Sequence, residues 1–178
     1  VMNITILGIS GICIGSSVLM SEFFGAGEEA NIKKEMATTA VFGLYFSLAV
    51  AVLGIFICRP LLKLLRVPEE ILGIASLYLC IVFLGTPFTY FYNAIAAALK
   101  SIGDSKTPLK FLAFASVLNG VLDIILIGIF RLGIVCSALT TVVAEGVSAA
   151  LCIHYVYRNI PLLRLDRKEF SIDPAFLS

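Results

Sequence analysis

Charge is what this 178-residue sequence has least of. Only 14% of its residues are Asp, Glu, Lys or Arg, against 60% hydrophobic, and the net charge is +1. Soluble domains usually carry about 25% charged and roughly 45–50% apolar residues. A chain this short has too much water-facing surface to hide so much apolar side chain, and a mean hydropathy of +1.03 points the same way. The near-neutral balance leaves no electrostatic footprint for nucleic acid. One histidine and an odd five cysteines, with no CxxC spacing, supply neither a structural zinc or haem site nor a disulfide framework. Cys13, Cys58, Cys80, Cys136 and Cys152 fall in or at the ends of apolar runs and read as small packing residues. No Ser-His-Asp, Cys-His or phosphate-loop spacing is present, so neither an enzyme nor a cofactor is expected.

What the sequence has instead is long apolar runs. A bilayer core of about 30 Å takes roughly 20 apolar residues to cross as a helix. Five stretches meet that length or nearly so, at about 1–20, 36–58, 71–99, 109–130 and 133–157. Lone lipid-facing strands would leave backbone groups unpaired, so the runs are predicted to be helices. The expected fold is an all-α membrane protein, a bundle of about five transmembrane helices over 1–157, followed by a cytoplasmic segment at 158–178. The first run has no basic residue ahead of it, and a second long run follows closely. It reads as a true span and not a signal peptide, and its abrupt start reads as a fragment or partial chain.

The breaks between runs set the orientation. One set of loops holds Lys33, Lys34, Lys100, Lys106, Lys110, Arg158, Arg164, Arg167 and Lys168; the other holds Arg59, Lys63, Arg66 and Arg131. The positive-inside rule places the richer set, loops 21–35, 100–108 and 158–178, in the cytoplasm. Arg59-Pro-Leu-Leu-Lys-Leu-Leu-Arg66 spaces its charges as a short helix lying in the outer interface would. Val67-Pro-Glu-Glu70 reads as the turn into the third span, and Gly25-Ala-Gly27 as the turn before the helix bearing Lys33 and Lys34.

Charged groups inside a span cost roughly 2.5–3.5 kcal/mol on insertion scales and seldom persist without a task. Asp123 and Glu145 are two such groups. Counting inward from Phe130 at 1.5 Å per residue, Asp123 lies roughly 10 Å and Asn119 roughly 16 Å below the outer end of the fourth helix. The short turn at 131–134 sets the fifth helix antiparallel beside it. By the same rise Thr141 lies roughly 12 Å deep and Glu145 roughly 18 Å deep. Thr141 is therefore expected level with Asp123, and Glu145 level with Asn119, in one pocket. The third helix adds Thr86, Pro87, Thr89, Tyr90 and Asn93, with Pro87 freeing a backbone carbonyl and Tyr90 and Asn93 able to line one wall. Plainer roles stand beside these. Thr141 can bond back to its own helix, Asn93 can serve as interhelical glue, Tyr90 can simply pack, and Glu145 can face a neighbouring subunit or a water-filled crevice. Asp123 has no such alternative through pairing, because the spans carry no Lys or Arg apart from Lys110 at the cytoplasmic edge of the fourth.

Several stretches resemble the multidrug and toxic compound extrusion transporters. They are Gly15-Ser-Ser-Val-Leu-Met-Ser-Glu-Phe-Phe-Gly-Ala-Gly-Glu28, Gly103-Asp-Ser-Lys-Thr-Pro108, Asn119-Gly-Val-Leu-Asp123 and Ala138-Leu-Thr-Thr-Val-Val-Ala-Glu145. The resemblance implies most of one six-helix lobe of a twelve-helix transporter, the five spans being its second to sixth helices. The first helix and the second lobe of the polypeptide would lie outside this chain. It implies export of organic cations, drugs or other amphipathic compounds by antiport with Na⁺ or H⁺, across the cell membrane. It implies ion coupling at Asp123, Asn119, Thr141 and Ser137, the last through its carbonyl, with Na⁺ held transiently, and Asn93 as a wall residue. Glu145 stands where many relatives carry Gln, as a second titratable group or a water-exposed one. A lipid-linked oligosaccharide flippase of the same superfamily would favour basic cavity residues, which the spans lack. A non-transporting assembly subunit would not need two acids at matched depth.

Overall fold

The computed structural model describes residues 2–131 and 133–164. Five helices follow one another: α1 (Met2–Ala26), α2 (Glu29–Leu64), α3 (Glu69–Ser101), α4 (Lys106–Asp123) and α5 (Val135–Asn159). A π-helical segment, Ile124–Ile129, continues α4, and a 3-10 turn, Pro161–Leu163, follows α5. No strand occurs among the described residues. All five helices, α4 with its π extension, are long and apolar enough to cross a membrane, and they match the five expected spans in order. Of the expected segment 158–178, the part beyond Arg164, with Arg167 and Lys168, lies outside the described residues.

Two boundaries differ from expectation. The stretch 21–35 is almost wholly helical, because α1 runs to Ala26 and α2 begins at Glu29. Only Gly27 and Glu28 turn the chain, with Gly27 at φ 74° in the left-handed region that glycine enters freely. At the far end of α2, the basic stretch from Arg59 is no separate interfacial helix but the last turns of the same rod. The 36 residues of α2 make a helix about 54 Å long, well beyond a bilayer core of about 30 Å. Its charged tip can therefore reach past the apolar layer while staying helical. Pro60 removes one backbone bond inside it without ending it. Pro68 then caps α3 from an extended conformation, at φ −53° and ψ 141°.

Packing centres on α3, which α1, α2 and α5 all contact, while α4 packs on α5. Burial is inverted relative to a water-soluble bundle. Small residues such as Ala37, Ser47, Ala98, Thr140 and Cys152 are buried, whereas Leu7, Phe56, Leu64, Val117 and Ile124 are exposed. Helices surrounded by lipid have no hydrophobic drive to draw leucines inward, and small residues let their backbones approach. Gly43 of α2 is the tightest case, since a Cβ there would lie 1.7 Å from the Tyr90 ring of α3. Cys58 and Cys80 bring their sulfurs to 3.2 Å across the α2–α3 contact, and both are free thiols.

The loop between α3 and α4 is fixed by Asp104. Its Oδ1 accepts the Thr107 N–H at 3.1 Å, capping α4, and its Oδ2 accepts the Tyr155 hydroxyl at 3.3 Å, tying that end to α5. Partial burial works against ionisation, but hydrogen bonds from Thr107, Tyr155 and the Lys106 backbone outweigh it and hold the carboxyl below its ordinary value. A depressed folded-state value means that the stabilisation is fully present above the ordinary carboxylate pKa, about 4, and is lost as pH falls through the lowered one. Asp104→Ala is expected to cost about 1 kcal/mol at neutral pH, as lost helix caps do. In thermal unfolding in detergent, the gap from wild type should shrink below about pH 4; a gap unchanged there would assign the effect to packing.

Candidate functional site

The polar residues of α4 and α5 meet through hydroxyl and amide groups. Asp123 ends α4 and is half-buried. Its Oδ1 accepts the Thr140 hydroxyl at 2.5 Å, and its Oδ2 accepts the Ser137 hydroxyl at 3.3 Å. One turn deeper, the Asn119 amide donates to the hydroxyls of both Thr140 and Thr141, at 3.3 Å each. Thr140 and Thr141 also point their hydroxyls at the Ser137 carbonyl, at 2.9 and 2.8 Å. Asp123, Ser137, Thr140, Asn119 and Thr141 therefore form one continuous network across the α4–α5 contact.

The register differs from the expected one. Asp123 lies level with Ser137 and Thr140, and Asn119 lies level with Thr141. The cause is the π segment Ile124–Ile129, immediately beyond Asp123. Its bonds close over five residues instead of four, so each turn holds more residues than an α turn. A 1.5 Å count from Phe130 then places Asp123 too deep. The four-residue spacing from Thr141 to Glu145 gives no sign of Thr140. The three-residue spacing from Ser137 to Thr140 would have exposed it.

Glu145 reaches elsewhere. Its Oε2 accepts the Thr89 hydroxyl of α3 at 2.7 Å, and no hydrogen bond joins it to Asn119. Gly85 makes that approach possible, since a Cβ there would stand 2.7 Å from Val142 and 3.3 Å from Glu145 Oε2. Glu145, Asn119, Thr141 and Asn93 nonetheless share the wall of one cavity of about 400 Å³ between α3, α4 and α5, with Thr89, Tyr92 and Ser148 beside them. Asn93 donates back to the Thr89 carbonyl at 2.7 Å, and the buried Ser148 hydroxyl has no partner. Asp123 itself is off this wall, one turn beyond Asn119, and joins it through Thr140. Tyr90 is also off it. Fully buried against Gly43, it donates its hydroxyl to the Thr39 carbonyl at 2.9 Å.

Chemically, this is a carboxylate held by neutral donors beside a polar cavity in a helix bundle. It can accept a proton or a small cation, and it is not arranged as an acid–base pair for covalent catalysis. Among the described residues, no three His, Cys, Asp or Glu side chains gather as metal ligands. A second cavity, of about 250 Å³, is walled almost entirely by apolar side chains of α1, α2, α3, α5 and Leu163. It holds few groups that could orient a ligand.

Comparison with known proteins places the chain and its fold. The MatE family model matches residues 1–125. The chain is 31% identical to the probable multidrug resistance protein YoeA of Bacillus subtilis over 174 residues, covering 94% of this chain and 38% of YoeA. It is 42% identical to the probable multidrug resistance protein YpnP of the same organism over 106 residues, 60% of this chain and 24% of YpnP. The fold matches a crystal structure of MATE in the bent conformation with a TM-score of 0.92 at 18% identity, over 99% of this chain and 40% of that one. The chain thus spans well under half the length of each of these proteins. With a family match across most of its length and a bundle of five membrane-length helices in the same arrangement, it is an integral membrane protein and belongs to the MatE family, the multidrug and toxic compound extrusion transporters, whose members are transporters and not enzymes.

Proposed function

We propose that the intact protein exports small molecules, organic cations and other amphipathic compounds foremost, in exchange for inward flow of Na⁺ or H⁺. It does so by alternating access in the plasma membrane, with the Gly27–Glu28 turn, the 102–105 loop and the end of α5 on the cytoplasmic side. A first helix and a second lobe of the same polypeptide complete the substrate cavity. The observation that carries this reading is Asp123, a half-buried carboxylate at membrane depth whose partners are the hydroxyls of Ser137 and Thr140.

Proton accounting gives a mechanism. The Thr140 hydroxyl has one hydrogen and two acceptors within reach, Asp123 Oδ1 and the Ser137 carbonyl. When Asp123 is ionised and empty, Thr140 donates to it. When a proton or Na⁺ neutralises Asp123, the Thr140 hydrogen turns to the Ser137 carbonyl, which Thr141 also uses. Asn119, held by both threonine hydroxyls, feels the change and passes it to the cavity wall. Filling the site thus alters the α4–α5 contact and loosens the hold on substrate, as antiport requires.

The test is transport by the intact protein in proteoliposomes carrying a fluorescent organic cation. Movement of the dye should follow an imposed opposing Na⁺ or H⁺ gradient and stop when that gradient is collapsed. Dye movement indifferent to both gradients would rule out coupled antiport.

A further inference from the structure

A second polar cluster lies away from Asp123, where α1 meets the first turns of α2. Glu35 is 4% and Thr38 is 3% exposed. The Ser16 and Thr39 hydroxyl oxygens are 2.6 Å apart, and Thr39 donates to Glu35 Oε1 at 3.2 Å. A hydroxyl carries one hydrogen. With the Thr39 hydrogen spent on Glu35, Ser16 must donate to Thr39, which leaves the Ser16 lone pairs free to bind. Glu35 Oε2 and Thr38 Oγ1 are buried with no hydrogen-bond partner. Ser16, Glu35, Thr38 and Thr39 line one cavity of about 270 Å³ between the two helices.

Buried polar atoms are nearly always satisfied, so two orphans in one cavity mark a place where something else binds. The chemistry narrows what it is. Both orphans can accept from a ligand, and an ionised carboxylate this buried needs a positive charge to balance it. The two oxygens share the cavity without hydrogen-bonding to each other, so a proton on Glu35 would leave Thr38 Oγ1 without a partner, whereas an ion in the cavity can meet both. One carboxylate among neutral hydroxyls balances one positive charge and would leave the second charge of a divalent cation buried without a counter-charge. We propose that Glu35, Thr38 and Ser16 form a second cation site, for a sodium-sized monovalent ion, separate from Asp123. An ion there ties α1 to α2 near the Gly27 turn.

The test uses the intact protein in lipid nanodiscs, with ²²Na⁺ binding as the readout and the Asp123→Asn background to silence the other site. Saturable binding of about one ion per chain should persist in that background and disappear when Glu35→Gln is added. Thr38→Val should weaken it by about tenfold, as lost metal partners commonly do, while leaving the gel-filtration profile unchanged. Asp123→Asn alone removing all saturable binding would overturn the proposal. So would binding untouched by Glu35→Gln or, should that variant fail to fold, an unchanged affinity in Thr38→Val. If Asp123→Asn leaves the total Na⁺ stoichiometry at its wild-type value, Asp123 does not hold Na⁺ and only the proton form of its role stands, with this site untouched.

Discussion

Replacing Asp123 by Asn in the intact protein is expected to bring cation-driven efflux down to the level of cells carrying no transporter, with the protein still present in the membrane. Asn keeps the shape of Asp, and its amide oxygen can still accept the Thr140 hydroxyl, so the α4–α5 contact survives the change. What disappears is the capacity to gain and lose charge. Without it, Thr140 no longer chooses between two acceptors of changing strength, and Asn119 has nothing to report to the cavity. Thr140→Val should give a graded loss, because it keeps the carboxylate and removes only the relay. Dye efflux from de-energised and re-energised cells, set against membrane protein levels by immunoblot, checks both. Normal efflux in a well-expressed Asp123→Asn protein would remove Asp123 from the coupling step.

Gly43→Ala is expected to be the most damaging small substitution in the bundle. The new methyl would stand 1.7 Å from the Tyr90 ring, and that ring is fully buried. Either α2 and α3 separate or Tyr90 leaves its place and gives up its bond to the Thr39 carbonyl. Overpacking a tight contact costs about 1–3 kcal/mol, and a lost buried hydrogen bond adds about 1 kcal/mol. Tyr90→Phe in the Gly43→Ala background keeps the collision and should rescue nothing. Tyr90→Leu vacates the space and should recover part of the loss, a coupling that a double-mutant cycle isolates. The fraction of folded protein left after heating in detergent reads all three. A Gly43→Ala protein as heat-resistant as wild type would mean that the two helices are not held at this distance.

The fold was legible because lipid imposes a coarse rule. Five apolar runs separated by charged breaks have few other solutions, and the five helices follow them in order. Helix ends were less legible. Lys33, Lys34 and Glu35 look like loop residues in a hydropathy reading, yet they sit inside α2, and Glu35 is among the more deeply buried acids. The charges from Arg59 likewise look like a separate interfacial helix, yet they belong to the tail of α2. At the candidate site, the pairing of α4 with α5 was readable from the short turn between them and from polar residues of the two helices at matching depths. The register was not, because a π segment leaves no mark in residue periodicity and Ile124-Ile-Leu-Ile-Gly-Ile129 could wind either way. Depth alone sets Glu145 beside Asn119 of α4. Its bond to Thr89 depends on Gly85 letting α3 come close, and that is a property of the packed bundle.

Substrate affinity measured against rising Na⁺ and, separately, falling pH, for wild type and Asp123→Asn side by side, tests the exchange at Asp123 most directly. Linkage requires that an ion which loosens substrate must itself be loosened by substrate. Wild-type affinity for an organic cation should fall as Na⁺ or H⁺ fills the site, and Asp123→Asn should bind with an affinity indifferent to the coupling ion. Full cation dependence retained in Asp123→Asn would contradict the assignment.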